Sequence, residues 1–494
     1  MSQAAAVTDV AASETQPRAR FLQVPDPQPR VGFLRLLPRS QLAAQLLRVT
    51  VPVVLGMVTQ TAINILDTIM IGQLPATVAT PAQAAIGPSL VFMWMVGGFL
   101  SAIWVGTQAL TSRRTGEGQL ERAGQVLLNS LLLAVLSSLL VGLVALLLVP
   151  AFVNLLYDDP TTVAYGVAYL RIRVLGIPAL VATFSLKSFF DGIGKTHVFM
   201  VTAVIMNGTN VVLNLLLIFG NPALSVPRLE LEGAAWASVL AAYLGLAILL
   251  VWALRPLYFR RYRYLGRGKL SWSIIKEIVR LSLPNGLATV VVMVGVGAFY
   301  WVVGQVNNLY APSGNPVIAA ANQAVITAFM LTLMTALAVG SATAAVVSQA
   351  VGANRTFLGE CYGWESVKLW GGAMGAYGVA MILLPEAILG LINPDPAVIA
   401  TGASVMRLMG FVQAFAGAAV ILGQTLYGLG NAQFVMYVEL FCHLFIMPPV
   451  AYLGGLVLDW GLMGIYMAPL LYVAVLLSAM GWKFSRGDWK RVSI

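Results

Sequence analysis

The sequence predicts an all-α integral membrane protein with twelve transmembrane helices in two homologous six-helix bundles. Three observations predict this class: the composition is too apolar for a water-facing surface, apolar runs of membrane-spanning length recur along the whole chain, and the second half repeats the first. Of 494 residues, 59% are hydrophobic and only 10% are charged, and the mean hydropathy is +0.85. Soluble domains carry roughly 25% charged residues, so the composition excludes an ordinary soluble protein.

Twelve apolar runs reach the length that an α-helix needs to cross a hydrocarbon core of about 30 Å, which is about 20 residues. Because the number of runs is even, both chain termini are predicted to lie on the same side of the membrane. The runs lie near residues 48–72, 82–112, 123–150, 165–190, 197–219, 232–255, 282–306, 318–352, 361–385, 398–428, 433–456 and 461–483.

The residues before the first run differ in composition from the rest of the chain. They are rich in Pro, Gln, Ala and Arg, and they lack the short apolar core of a cleavable signal peptide. We therefore expect residues 1–45 to form a disordered cytoplasmic tail, and the first helix to act as its own targeting signal.

The basic residues are distributed unequally across the predicted membrane. The formal net charge is +10, from 29 Lys and Arg against 19 Asp and Glu. Under the twelve-span topology all but four of these cations lie on the side of the termini, which the positive-inside rule assigns to the cytoplasm. We therefore predict a multi-pass protein of the cell (inner) membrane whose partner is the lipid bilayer, with no nucleic acid. The four exceptions are Arg171, Arg173, Arg228 and Arg407.

The second half of the chain repeats landmarks of the first at a nearly constant offset. VPVVLG from Val51 matches LPNGLA from Leu283 at an offset of 232 residues, and GIGKTHVFM from Gly192 matches GLGNAQFVM from Gly428 at 236. TQALTSRRT from Thr107 matches SQAVGANRT at 241. Chance apolar similarity does not preserve such offsets through Pro, Gly and charged landmarks, so the chain contains an internal repeat.

The repeat defines the predicted domains. Residues 46–255 and 281–485 form the two six-helix bundles, which run in the same direction because each holds an even number of spans. Residues 256–280 form a basic, amphipathic cytoplasmic linker of the kind that lies along an anionic membrane surface. Residues 486–494 form a cytoplasmic C-terminal tail.

One carboxylate in the first half stands out, because nothing in a hydrocarbon environment stabilises its charge. Asp67 is the only charged residue between Val49 and Ile71, and such a charge costs about 3 kcal/mol on insertion scales. The fifth span carries Asn207, Asn210 and Asn214, and the last two share a helix face because they are spaced i, i+4. Carboxylate and amide oxygens suit Na⁺, or a proton that toggles Asp67. Interhelical hydrogen bonding is the structural alternative for the asparagines.

The second half has a different polar pair, Glu439 and His443, spaced i, i+4 in the eleventh span. Because histidine titrates near neutrality, the pair is a candidate proton or substrate site in the second bundle. The alternative is a local pair that holds two helices together.

Signals of catalysis are weak. FFDGIGKT resembles a phosphate-binding loop, but the required glycine is replaced by Phe189. Two histidines in the whole chain are too few for a multi-histidine metal site, and Cys361 and Cys442 form no CxxC motif. We expect no enzyme, no catalytic residues, no cofactor and no metal other than a coupling Na⁺, and we expect both thiols to be buried.

The ordered set of motifs resembles the multidrug and toxic compound extrusion (MATE) family from about Leu46 to Trp482. The resemblance rests on ILDTIMIGQL, LKSFFDGIGKT, NVVLNLLLIFG, LEGAAWAS, AANQ and VVSQAVGANR, which occur in family order. It implies two bundles in a V that alternate between outward-open and inward-open states and exchange H⁺ or Na⁺ for organic, often cationic and amphiphilic, substrates. It also implies a cation-coupling site at Asp67, Asn210 and Asn214, and a bend of the first helix at Pro52.

Three positions depart from the family pattern. Acidic residues that NorM-like members carry in the seventh and tenth helices align with Val292 and Ala416, which argues against a second cation site of that type. A threonine often found in the sixth helix aligns with Leu240, which predicts a coordination shell short by one oxygen.

The sequence therefore predicts a monomeric secondary active multidrug exporter whose partners are small organic substrates. A flippase of lipids or lipid-linked precursors is the alternative that the same fold supports, although it would favour a more basic cavity. An intramembrane enzyme would need clustered catalytic groups, whereas the polar residues are dispersed. A purely structural scaffold would not need Asp67.

Overall fold

A computed structural model describes residues 35–72, 92–156, 160–264, 268–310, 317–393 and 395–491, together with single positions between them. The side chains of residues 60–69 and of a few helix-end positions lie outside this description. Over the described residues the chain is helical, and its only strand-like pairing is an isolated bridge between Asn221 and Val226. The predicted all-α class is confirmed.

The first bundle begins at the first apolar run. A π-helical turn, Trp94–Gly98, and a short helical segment, Phe99–Ser101, precede its second long helix. Its helices are α1 (Ser40–Gly72), α2 (Ile103–Gly116), α3 (Leu120–Leu156), α4 (Pro160–Val174), α5 (Ile177–Gly192), α6 (His197–Phe219) and α7 (Glu230–Leu254).

A short linker helix connects the bundles, and the second bundle follows the same order of long helices. Two π-helical turns, Cys442–Ile446 and Leu453–Val457, interrupt the segment predicted as the eleventh span of the chain. The helices are α8 (Pro256–Tyr262), α9 (Trp272–Tyr310), α10 (Val317–Gly352), α11 (Thr356–Leu383), α12 (Pro385–Ile392), α13 (Pro396–Gly428), α14 (Ala432–Phe441), α15 (Met447–Tyr452), α16 (Gly461–Ile465) and α17 (Met467–Arg486).

Several of these helices have membrane-spanning length. Among the described residues, nine continuous helical segments are long and apolar enough to cross a membrane. The number rises to 11 if two bent pairs of helices each form one span. The pairs are α4 with α5, bent by 42°, and α11 with α12, bent by 91°. The predicted second span, 82–112, lies partly outside the described residues. The protein is therefore a multi-pass membrane protein.

Three helix ends differ from the predicted domain limits. Helix α1 begins at Ser40 instead of 46, and α17 continues to Arg486, the first residue of the predicted tail. Helix α9 begins at Trp272, so the last part of the segment predicted as linker is helical. Hydropathy marks only the part of a helix inside the hydrocarbon, and polar residues extend the helices beyond it.

Matching hydrogen bonds relate the two bundles. Thr107 Oγ1 lies 2.6 Å from Ser130 Oγ in the first bundle, and Thr343 Oγ1 lies 2.7 Å from Ser366 Oγ in the second. The two threonines are 236 residues apart in the sequence, and so are the two serines. The last residues of α2 and α10 have the same separation. The offset of 241 for the TQALTSRRT motif was therefore wrong: the counterpart of Thr107 is Thr343, not Ser348. Similar short motifs one turn apart on the same helix misled the alignment.

The bundles meet through glycines near the ends of α2 and α10. A Cβ atom on Gly116 would overlap the backbone carbonyl oxygen of Gln349, and a Cβ atom on Gly352 would overlap that of Arg113. The two contacts are related by the same 236-residue offset, so they are two copies of one interaction. Only glycine permits this close approach of the two backbones.

Polar contacts support the same meeting point. Gln108 Nε2 donates to the backbone oxygen of Ser341 at 2.5 Å, and the Ser341 hydroxyl donates back to Gln108 Oε1 at 3.2 Å. The start of α1 lies at this end too, because the backbone N–H of Arg39 donates to Glu365 Oε2 at 2.8 Å. The bundles are therefore closed together at the end of the molecule that carries the start of α1.

The linker packs onto the first bundle through aromatic rings. Phe189 of α5 meets Tyr262 and Tyr264 edge-on, with ring centroids 5.1 and 5.6 Å apart. Burial raises the pKa of Tyr262 to about 12, so this phenol stays neutral. Arg263 forms an ion pair with Glu121 of α3 at 2.7 Å. These contacts hold the connection between the bundles against the first bundle.

A buried ion pair closes the last turn of α5. Lys187 Nζ lies 2.6 Å from Asp191 Oδ2, and both side chains are almost completely buried. The ammonium also lies 5.2 Å from the centroid of the Phe199 ring in α6. Because both charges are removed from water, each charge is stabilised by its partner and would be costly without it.

We expect Lys187→Met to lower the free energy of unfolding by about 3–5 kcal/mol, because it leaves the Asp191 carboxylate buried without a cation. The double variant Lys187→Met/Asp191→Leu removes both charges and should recover most of the loss. Thermal unfolding in detergent, followed by tryptophan fluorescence, measures both effects. As a control, Arg407→Met breaks a half-exposed ion pair and should change stability by only about 0–1 kcal/mol. A double variant no more stable than the single one would contradict this account.

Candidate cation-coupling site

Helix α1 packs alongside α6 in parallel. A Cβ atom on Gly56 would lie 3.8 Å from the Ala203 Cβ atom, and one turn further along, Asn207 Nδ2 donates to Thr59 Oγ1 at 3.0 Å. Thr59 in turn donates to the carbonyl oxygen of Gly56 at 2.9 Å. The small residue at position 56 lets the two helices approach, and the contacts fix their register.

The predicted asparagines lie on one buried face of α6. Asn214 Nδ2 donates to Asn210 Oδ1 at 3.2 Å, and Asn210 Nδ2 donates to Ser238 Oγ of α7 at 3.5 Å. Asn207, Asn210 and Asn214 are all at most 4% exposed. The i, i+4 spacing therefore brings Asn210 and Asn214 into contact, as the helical period requires.

Asp67 lies in α1, but its side chain falls outside the described residues. The backbone nevertheless places it along the helix. From Thr59 to Asp67 the helix rises about 12 Å, and from Asn207 to Asn214 it rises about 10 Å. Since Thr59 and Asn207 are in contact, the register of α1 and α6 places position 67 at the level of Asn214. The predicted grouping of Asp67 with the asparagines stays a prediction.

Two hydroxyl groups at this face were missed by sequence reasoning. Ser238 supplies the oxygen of α7 that contacts Asn210, whereas Leu240, the position aligned with the family threonine, is 47% exposed. The helix thus brings a hydroxyl oxygen to Asn210 two residues before the aligned position, and the expectation of a coordination shell short by one oxygen stays a prediction. A signal was available, because Ser238 is the only Ser or Thr in α7. Thr59 had no comparable signal, since its role depends on the packing of α1 against α6.

Pro52 lies inside α1, and the helix continues through it to Gly72. A proline removes one backbone hydrogen bond and weakens a helix at the preceding turn. Pro52 precedes the contact of Gly56 with α6 by one turn. The bend at Pro52 stays a prediction.

Glu439 and His443 pair differently from the prediction. The His443 Nδ1 atom lies 2.9 Å from the backbone oxygen of Glu439, not from its carboxylate. The carboxylate instead accepts a hydrogen bond of 2.7 Å from Tyr427 at the end of α13. His443 is the second residue of the π-helical turn Cys442–Ile446. This group lies in the second bundle, apart from the asparagines of α6.

The two cysteines are in separate places. Cys361 lies in α11 and Cys442 follows α14, and both are buried free thiols. The prediction of two buried thiols is confirmed. In the part of the chain that the structure describes, no three His, Cys, Asp or Glu side chains gather in a metal-binding arrangement.

Two parts of the chain match one protein-family model. A model described as MatE matches residues 52–216 and 290–453, which together cover more than half of the chain. The chain belongs to the MATE family. The two matches fall in the two bundles, as expected for a MATE protein built from an internal repeat.

Relatives that match over most of their length carry multidrug-resistance names. The chain is 25% identical over 422 residues to the multidrug resistance protein PmpM of Pseudomonas aeruginosa, covering 84% of each protein. It is 30% identical over 415 residues to a probable multidrug resistance protein NorM of Deinococcus radiodurans, covering 80% of this chain and 84% of the relative.

Solved structures show the same fold. One, described as the outward-facing conformation of a multidrug resistance MATE family transporter, superposes with a TM-score of 0.79. The match covers 93% of this chain and 100% of that one at 19% identity. This MATE protein therefore has the twelve-helix, two-bundle fold.

Proposed function

We propose that this MATE protein is a secondary active multidrug exporter, an antiporter that exchanges H⁺ or Na⁺ for organic, cationic amphiphilic substrates. The observation that carries the proposal is the buried polar face of Asn207, Asn210 and Asn214, which lies against the helix that contains Asp67. The names of the relatives, which describe multidrug resistance, agree with this function.

The polar face suits a site that loads and unloads a small cation. Amide and hydroxyl oxygens of Asn210, Asn214 and Ser238 are hard ligands, and Asp67 supplies the one negative charge on α1 at this level. With Asp67 ionised, the first bundle attracts a cationic substrate. When H⁺ or Na⁺ neutralises Asp67, that attraction is lost and the substrate is released.

The closed end of the molecule supports an assignment of the state that the structure represents in this proposed cycle. The bundles meet through Gly116 and Gly352 at the end that carries the start of α1. With both termini in the cytoplasm of a cell whose inner membrane the protein spans, this arrangement is closed to the cytoplasm. Alternating access then requires these glycine contacts to separate.

The remaining expectations follow from the same proposal. An antiporter of this kind is not an enzyme, and it needs no cofactor besides its coupling ion. One chain contains both bundles and the whole polar face of α6, so a monomer is sufficient. The alternative of a lipid or lipid-linked precursor flippase receives no support from the relatives named above.

Efflux from proteoliposomes tests the proposal. Purified protein is reconstituted with a fluorescent cationic dye inside, and an inward pH gradient or an inward Na⁺ gradient is imposed in turn. We expect efflux that follows one gradient and stops when that gradient is collapsed with an ionophore. Folded protein that moves no dye under either gradient but scrambles a fluorescent lipid would overturn the antiporter in favour of a flippase.

A further inference from the structure

The second bundle holds an acid that the coupling site of the first bundle does not use. Glu439 is partly buried on α14, and its Oε2 atom accepts a hydrogen bond of 2.7 Å from the hydroxyl of Tyr427. Tyr427 itself is completely buried. Among the described residues no Lys or Arg forms an ion pair with Glu439. A carboxyl at membrane depth without a cation is costly as an anion.

The repeat shows how unusual this arrangement is within the molecule. At the offset of 236 residues, Tyr427 corresponds to Asp191 and Gly423 corresponds to Lys187. The first bundle thus neutralises its buried acid with a lysine 2.6 Å away. The second bundle has replaced that acid with a phenol and placed a carboxyl opposite it, without supplying a cation.

A proton fits this arrangement better than a metal ion. The Glu439 carboxylate has one hydrogen-bonding hydroxyl partner among the described residues, whereas Na⁺ needs several oxygen ligands at once. A proton needs only the carboxylate itself. The protonated acid and the ionised acid can both keep the contact with Tyr427, because a hydroxyl donates as well as accepts.

The titratable groups around Glu439 in the described part of the chain are tyrosine, cysteine and histidine side chains. None of them is a Lys or Arg with a permanent positive charge. Helices α9, α13 and α17 and the π-helical turn pack around α14. His443 Nδ1 contacts the backbone oxygen of Glu439, and His443 Nε2 lies 3.5 Å from the Tyr472 hydroxyl. The titratable groups are Tyr427 from α13, Tyr472 from α17, and Cys442 and His443 from the turn, while α9 contributes the neutral amide of Asn285.

Helix α9 connects this group to the first bundle. The Asn285 side chain lies near the Tyr427 hydroxyl, and three residues earlier Ser282 Oγ accepts from the backbone N–H of Gly106 in α2 at 3.1 Å. A Cβ atom on Gly286 would lie 3.0 Å from the ring of Phe99 in the first bundle. Helix α9 therefore lies between Tyr427 and the surface on which the bundles meet.

We propose that Glu439, positioned by Tyr427 and His443, is a second proton-binding site, located in the second bundle. The proposal rests on ion-coupled export, and it adds a proton that does not pass through Asp67. Loading and unloading this proton changes the Tyr427 contact with α9 and so biases the closure of the two bundles.

Infrared difference spectroscopy measures the proton directly. Purified wild type in lipid nanodiscs, titrated through the neutral pH range, should show a carbonyl band of a protonated carboxyl that disappears as the acid ionises. Glu439→Gln should lose that band, whereas Asp67→Asn should keep it. The matched control is Glu386→Gln, which removes an exposed acid paired with Arg407 and should change neither the band nor transport.

Transport reports whether the proton is coupled. In Glu439→Gln, the slope of log efflux rate against pH should fall by about one, since one obligatory proton is lost. Tyr427→Phe should keep the infrared band but shift its midpoint. A band that survives in Glu439→Gln overturns the site. Loss of the band with an unchanged pH profile overturns its coupling. Since the infrared band does not depend on dye transport, failure of the exporter proposal remains distinguishable from failure of this one.

Discussion

Asp67→Asn abolishes ion-coupled dye efflux and leaves the protein folded: this is the largest effect that we expect from a single substitution. Asparagine is close in size and still forms hydrogen bonds, but it cannot be neutralised by H⁺ or Na⁺. An ion shifts a conformational equilibrium only if it binds the two states differently. Without a titratable charge at position 67, the gradient has nothing on α1 to act on, and efflux should fall to the rate of protein-free liposomes.

The measurement is dye efflux from proteoliposomes at matched protein content, under the gradient that drives the wild type. Size-exclusion chromatography and thermal unfolding in detergent establish that the variant is folded. Glu386→Gln removes an exposed acid and should keep the wild-type rate. A well-folded Asp67→Asn protein with coupled transport near the wild-type rate would rule out the coupling mechanism, whichever ion is used.

Gly116→Leu should stop transport for a different reason, by preventing the bundles from closing together. Leucine is compatible with the helical backbone of α2, but its Cβ atom would overlap the carbonyl oxygen of Gln349 in the other bundle. Overpacking of this kind costs about 1–3 kcal/mol, which depopulates the closed arrangement about 5–150-fold. Each bundle keeps its own core, so the protein should still fold.

The reactivity of a cysteine placed at the interface between the bundles tests this expectation independently of transport. With the two native thiols replaced by serine, Ser112→Cys introduces a thiol at a completely buried position of α2. It should react slowly with a membrane-impermeant maleimide in the wild-type background and rapidly in Gly116→Leu. Gly481→Leu is the matched control, because a Cβ atom there has no neighbour within 4 Å. Equal labelling in both backgrounds, with transport retained, would show that the glycine contact is dispensable.

The two substitutions separate the two requirements of an antiporter. Asp67→Asn removes the group on which the ion acts, while the bundles still meet at Gly116 and Gly352. Gly116→Leu leaves the proposed ion site in α1 and α6 intact but should block one of the states between which the protein alternates. Ion-dependent substrate binding should therefore persist in Gly116→Leu and be lost in Asp67→Asn.

Much of the fold could be predicted because it depends on properties that repeat along the chain. Membrane spans follow from runs of apolar residues, and the two-bundle organisation follows from landmarks that recur at a fixed offset. The i, i+4 spacing was enough to place Asn210 and Asn214 on one helix face, since the helical period is a property of the backbone. The helix ends at Ser40 and Trp272 were less predictable, because helices continue past the hydrocarbon that hydropathy detects.

The partners across helices required the packed structure. Ser238 reaches Asn210, and Tyr427 rather than His443 meets the Glu439 carboxylate, although neither contact has a fixed spacing in the sequence. Such contacts depend on the distance and rotation between helices, which side-chain packing sets and which the order of residues along one helix does not contain. The 236-residue equivalence of α2 and α10 has the same origin.

The class of protein, its internal repeat, its asymmetry of charge and its intramembrane acid were therefore readable from the chain, because each is a local or periodic property. The hydroxyl groups around the asparagines, the surroundings of Glu439 and the glycine contacts that close the bundles came only from the way the helices pack. Those contacts join residues more than a hundred positions apart in several cases. Distance in sequence carries no information about them until the helices have been brought together.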